Sequence, residues 1–94
     1  MITTQQLQLL KEGNKKAFEA LYRAYNARIY SFVLSMIGDA GVAKDITQDI
    51  FLQIWEKRLN IDLEGNFDGY LFKISQNMVY HYVRRELLLQ NYVD

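Results

Sequence analysis

Val42, Ile46, Ile50 and Ile54 recur at four-residue steps, which places them on one face of a helix turned toward a core. On the opposite side run Asp45, Gln48, Asp49, Leu52 and Glu56, with Trp55 at the border between the two. An apolar Leu52 among three acids and an amide is not the make-up of an ordinary solvated face. It is how a groove or helix-docking surface tends to be built.

The same helical period governs the rest of the chain. A short first helix over about 4–12 starts at a Thr cap and stops at Gly13. Asn14 caps a second helix whose apolar positions Phe18, Leu21, Tyr22, Tyr25, Ile29, Phe32, Val33 and Met36 continue to Gly38. Asp39 caps a third, expected to run to about residue 58. Residues 59–66 form a connection long for so small a domain, and such loops often carry function. Asn66 caps a last helix through Phe67, Tyr70, Leu71, Ile74, Met78 and Tyr82. Its end is open, because Leu87-Leu88-Leu89 reads either as core or as a seam without its neighbour. With no proline and no strand-like alternation of β-branched and polar residues, the expected fold is all-α: a compact bundle of three main helices plus a short N-terminal helix. No internal repeat or low-complexity linker interrupts it.

A chain of 94 residues, half of them apolar, forms one domain spanning 1–94. Without cysteine, disulfides, iron–sulfur clusters and thiolate zinc sites are excluded, and His81 alone argues against a histidine metal site. No metal and no cofactor are expected. The N-terminus has no basic stretch leading into an apolar one, and no apolar run has membrane-spanning length, so a soluble, cytoplasmic protein without membrane insertion is expected. An enzyme is not expected either: no nucleophile has a partnered base, no paired carboxylates stand out and no glycine-rich phosphate loop is present.

The net charge of zero at first argues against a nucleic-acid partner. Its distribution changes that reading. Residues 39–68 hold three basic and seven acidic side chains, whereas 69–85 hold Lys73, Arg84 and Arg85 and no acid. Two surfaces for two different partners follow from this segregation. On the last helix Lys73, Asn77, His81 and Arg84 share one stripe, with Gln76 and Tyr80 beside it. Cations suit phosphates, an amide suits a base edge, and aromatic rings suit stacking by an unpaired base. So few cations bind weakly alone, so a large partner would have to hold the domain on DNA. Taken locally, Asp45, Gln48 and Asp49 also read as a solvated face, Asn77 as a satisfied polar residue, and Arg84-Arg85 as companions of a helix C-terminus. Tyr22, Tyr25, Phe32, Tyr70 and Phe72 are assigned to the core.

Four ordered pieces carry a family resemblance: residues 17–22 (AFEALY), 45–55 (DITQDIFLQIW), 67–74 (FDGYLFKI) with Asn77, and Arg84-Arg85. Over about residues 13–86 the chain resembles the first conserved domain, region 2, of extracytoplasmic-function sigma factors, the promoter-specificity subunits of bacterial RNA polymerase. The resemblance implies that Asp45, Gln48 and Asp49, with Leu52, Trp55 and Glu56 around them, dock on the coiled coil of the polymerase beta-prime subunit. It implies that residues 59–70, including Asn60 and Asn66, help separate the promoter strands and take in a flipped base of the minus-ten element. It further implies that Lys73, Asn77, Tyr80, His81, Arg84 and Arg85 read and hold that element. His81 stands where the family more commonly carries Asp or Asn. Family members also carry a helix-turn-helix domain, absent from this chain, which is then expected to be a fragment, and they are usually silenced by an anti-sigma protein. The expected function is recognition and opening of the minus-ten promoter element on core RNA polymerase. The competing reading is a helical adaptor that binds one protein through the Leu52 face and never touches nucleic acid.

Overall fold

The computed structural model describes residues 2–93, with side chains as far as Gln90. Among the described residues there are four α-helices and no strand: α1 Thr4–Lys11, α2 Lys15–Ile37, α3 Ala40–Glu56 and α4 Phe67–Val93. A single 3-10 turn, Arg58–Asn60, follows α3. Each helix start is fixed by a side chain that satisfies an orphan backbone N–H. Thr3 and Gln6 form a reciprocal capping box on α1, with bonds of 3.1 and 2.9 Å. Asn14 accepts from the Ala17 N–H, Asp39 from Val42 and Asn66 from Gly69, at 2.9, 3.1 and 3.0 Å. Gly38 ends α2 at φ 80°, a left-handed conformation that would strain any L side chain.

The core is one cluster drawn from all four helices. Ala17, Leu21, Tyr25, Ile29 and Val33 of α2 interlock with Ala43, Ile46, Ile50, Phe51 and Ile54 of α3 and with Phe67, Leu71, Ile74 and Val79 of α4. Leu7 and Leu10 bring α1 onto the same cluster. Each fully buried isoleucine contributes about 1.5–3 kcal/mol relative to exposure. Two buried hydroxyls fit because each donates to the carbonyl one turn back: Thr47 to Ala43 at 2.7 Å and Ser75 to Leu71 at 2.8 Å.

Among the described side chains of α4, Val79 is the last that is fully buried and Tyr82 the last packed against the core. The remainder runs past the bundle, which helps draw the molecule out to 51 Å along its long axis against 22 and 20 Å across. Leu87, Leu88 and Leu89 are each more than half exposed, so this run is a bare seam and not core. Tyr22 also departs from expectation. It is 38% exposed and lies edge-on to Phe51 at 5.1 Å, so it lids the core without entering it. The third helix ends at Glu56, close to the expected end, and in the 3-10 turn that follows, Arg58 folds back over the helix's last turn. Its Nη1 donates to the Trp55 carbonyl at 3.1 Å and its guanidinium stacks 4.5 Å above the Trp55 ring. No helix among the described residues is long and apolar enough to cross a membrane.

Candidate functional site

Two exposed surfaces and the loop between them account for the chemistry-bearing residues. On α3, Asp45, Gln48, Asp49, Leu52 and Glu56 are all exposed, while Ile46, Ile50 and Ile54 are buried behind them. Trp55 is half-buried, as its position between the faces predicts, with its ring edge-to-face on Phe18 at 5.3 Å. Together Phe18, Leu52 and Trp55 floor an apolar groove of about 310 Å³, with Lys15 and Glu19 at its rim. A second hollow, about 230 Å³, opens where Gln48 and Lys44 face Tyr22, Asn26 and Tyr30 of α2. Sequence reasoning placed Phe18 in the core and passed over Lys15 and Glu19. Their i, i+4 spacing one turn into α2 is the signal that could have paired them with the α3 groove.

The loop is built from short-range bonds that leave it a definite shape. Asn60 N–H donates to the Lys57 carbonyl at 2.9 Å, and Ile61 N–H to that of Arg58 at 3.2 Å. Asp62 then folds the chain over. Its carboxylate accepts from Glu64 N–H at 2.9 Å and its carbonyl from Gly65 N–H at 3.2 Å. Gly65 lies close against Asp62: a Cβ there would sit 3.2 Å from Asp62 Oδ2, so a larger residue would push that exposed carboxylate aside by a few tenths of an ångström. Ile61 and Phe67 are buried and anchor the two ends. Between them lies a cavity of about 210 Å³ lined by Asn60, Ile61, Asp62, Gly65, Asn66, Phe67 and Tyr70. Asn60 and Asn66 therefore meet at one place, although Asn66 also serves as the α4 cap. The sequence singled out these two amides, but not Asp62, Phe67 or Tyr70.

Beneath this cavity the first turn of α4 is fastened to α2. The Tyr25 hydroxyl donates to the Asp68 carboxylate, and the Tyr25 ring meets Phe67 edge-on at 5.8 Å. Burial, reinforced by the Asp68 carboxylate, raises the Tyr25 pKa above the ordinary phenol value.

Farther along α4, Lys73, Gln76, Asn77, Tyr80 and Arg84 are exposed opposite the buried Leu71, Ile74, Ser75 and Val79, while His81 and Arg85, also exposed, stand seven and eleven residues after Ile74 and so turn toward its flank. Tyr80 is 59% exposed and lies 5.8 Å from the His81 ring, so two rings stand side by side at the surface. The stripe presents cations, an amide and stacking surfaces along one helix, beginning one turn after Tyr70 at the cavity wall.

Comparison with known proteins gives concordant matches. The family model for sigma-70 region 2 matches residues 21–87. The ECF RNA polymerase sigma factor SigW of Bacillus subtilis is 24% identical over 92% of this chain and 46% of its own length. SigK of a Mycobacterium species (strain KMS) is 31% identical over 85% of this chain and 42% of its own length. The chain thus spans under half the length of these relatives. In fold it is similar to an engineered region 2 of sigmaE, solved in complex with GTAAAA, at a TM-score of 0.83 and 21% identity over 92% of this chain and 90% of that one. With the family model covering most of the helical core and both exposed surfaces, the chain belongs to the sigma-70 region 2 family, as a domain of the extracytoplasmic-function type.

Proposed function

We propose that this domain acts in transcription initiation: the α3 face docks on core RNA polymerase, at the coiled coil of the beta-prime subunit, while the loop and α4 recognise and help melt the minus-ten promoter element. The observation that carries the reading is a small cavity whose last wall residue, Tyr70, stands one turn before Lys73 on the acid-free stretch of α4 that bears the cationic and aromatic residues. At about 210 Å³ the cavity is smaller than the roughly 300–1,000 Å³ of a drug-sized pocket and suits one planar base. Asp62 in its wall disfavours a phosphate, so a base edge enters and the backbone stays outside on Lys73, Arg84 and Arg85. Stacking on Tyr80, His81 or Tyr70 would add about 1–3 kcal/mol per base.

Opening then needs no covalent step. The domain binds the extruded strand better than the duplex and so shifts the equilibrium toward separated strands. Three cations and a histidine give weak affinity alone. Docking through the α3 face raises the local concentration of promoter DNA once both are held in one assembly. Asp45, Asp49 and Glu56 would repel a phosphate backbone, which reserves that face for protein.

The exposed apolar residues fit a further partner. Leu52 and residues 87–89 offer surface that an anti-sigma protein would cover, hiding the polymerase-docking face at the same time.

The test is capture of core RNA polymerase by the wild-type chain and by Asp49→Lys. The reading expects capture by the first and its loss in the second, with α-helical content unchanged. Equal capture by both would remove the docking role from α3.

A further inference from the structure

The cavity wall is held from behind by a residue outside the 21–87 family match. Lys11, the last residue of α1, extends its Nζ to the backbone carbonyl of Ile61, 50 residues away in sequence, at 2.7 Å. Ile61 lines the cavity and is itself only 2% exposed. Its side chain is fixed by the core, and its carbonyl by a charge-assisted hydrogen bond. That bond has a firm base, because α1 is locked at its start by the Thr3–Gln6 capping box and seated on the core through Leu7 and Leu10. Leu7 also shares a hollow of about 360 Å³ with Ile2, Thr4, Leu63 and residues 65–68, so α1 runs directly along the back of the loop.

We infer that Lys11 is a positioning residue for strand recognition: α1 acts as a brace whose terminal ammonium holds the Ile61 backbone where the base cavity exists. This rests on the reading of the cavity as a base-binding site. Residues 59–66 hold only the end of a 3-10 turn and an Asp62 turn, so without the brace their backbone is held by the Ile61 and Leu63 side chains and by local bonds that exposed backbone exchanges readily with water. A cavity formed only part of the time lowers apparent affinity in proportion to its population. The ammonium does not touch DNA in this scheme. It acts through the Ile61 carbonyl, so its removal weakens the base in the cavity while leaving polymerase docking alone.

The experiment uses the whole chain, in wild-type, Lys11→Met and Lys11→Arg forms. Met keeps the aliphatic stem and removes the donor, while Arg restores a cationic donor. The probe is the best single-stranded DNA that the wild type selects from a randomised six-base window, titrated by NMR. In parallel, amide hydrogen exchange is read over residues 61–66. The expected result is affinity about tenfold weaker in Lys11→Met, which corresponds to about 1.4 kcal/mol. Loop exchange should be faster with α2 and α3 unchanged, and Lys11→Arg should recover most of both. Lys11→Met binding like wild type, or weakened binding with unchanged loop exchange, overturns the positioning role and leaves the base site standing. A wild-type chain whose cavity amides shift with no strand even at about 1 mM DNA, where affinity worth only about 4 kcal/mol would register, overturns the base site and the brace together.

Discussion

The outer faces of α3 and α4 are both exposed sides of amphipathic helices backed by the same core, yet their chemistry is opposite. The α3 face carries Asp45, Asp49 and Glu56 along the same side as Leu52, which with Phe18 and Trp55 floors an apolar groove rimmed by Lys15 and Glu19. The α4 face sets Lys73 and Arg84 in line with Asn77 and Tyr80, with His81 and Arg85 toward its flank and no acid from residue 69 to 85. An apolar groove beside a row of acids suits a protein partner, which can cover the groove and answer the acids with basic groups. Cations spaced along aromatic rings suit a flexible anionic strand. The difference teaches that a net charge of zero says little here, because opposite charges have been sorted onto different helices.

Substitutions separate the two faces. The largest effect comes from the shared core. Ile50 is fully buried, and Ile50→Ala should cost about 2–5 kcal/mol in denaturant unfolding and weaken both faces together. If one face survives that loss intact, the two do not depend on a common scaffold.

Next comes the α4 face alone. Lys73→Ala with Arg84→Ala removes two cations, which should lower the salt dependence of single-strand binding by about 1.4 in log–log slope. Polymerase capture should be unaffected. An unchanged slope would take these side chains off the phosphates and favour the adaptor reading. On the α3 face, Leu52 is 52% exposed, so Leu52→Ala should change stability by less than about 0.5 kcal/mol. It should still weaken polymerase capture by about 1–2 kcal/mol, measured by competition.

The smallest effect sits between the faces, at the Tyr25–Asp68 contact. The folded-state pKa of Tyr25 is raised, so its contribution is fully present below the unfolded phenol value of about 10 and is lost as pH climbs through the folded value. Tyr25→Phe should cost about 1 kcal/mol near neutral pH and should flatten the alkaline fall in stability seen above pH of about 10. Urea titrations of both forms across that range would show whether the two curves converge.

Much of this arrangement was legible in the sequence because it is local. Asn14, Gly38, Asp39 and Asn66 mark helix ends through bonds that span three or four residues, and the four-residue apolar steps of α2 and α3 fixed which faces turn inward. What stayed hidden depends on distant partners. Tyr22 stays half outside because it covers Phe51 from a neighbouring helix. The bonds from Lys11 to Ile61 and from Tyr25 to Asp68 join residues more than 40 positions apart, and no periodicity encodes them.

The most direct test is a two-by-two measurement: Asp49→Lys and the Lys73→Ala, Arg84→Ala pair, each assayed for capture of core polymerase and for retention of selected single-stranded DNA. The account predicts a crossed pattern, the first variant losing polymerase and keeping the strand, the second losing the strand and keeping polymerase. Both variants losing the same partner, or neither losing any, would contradict it.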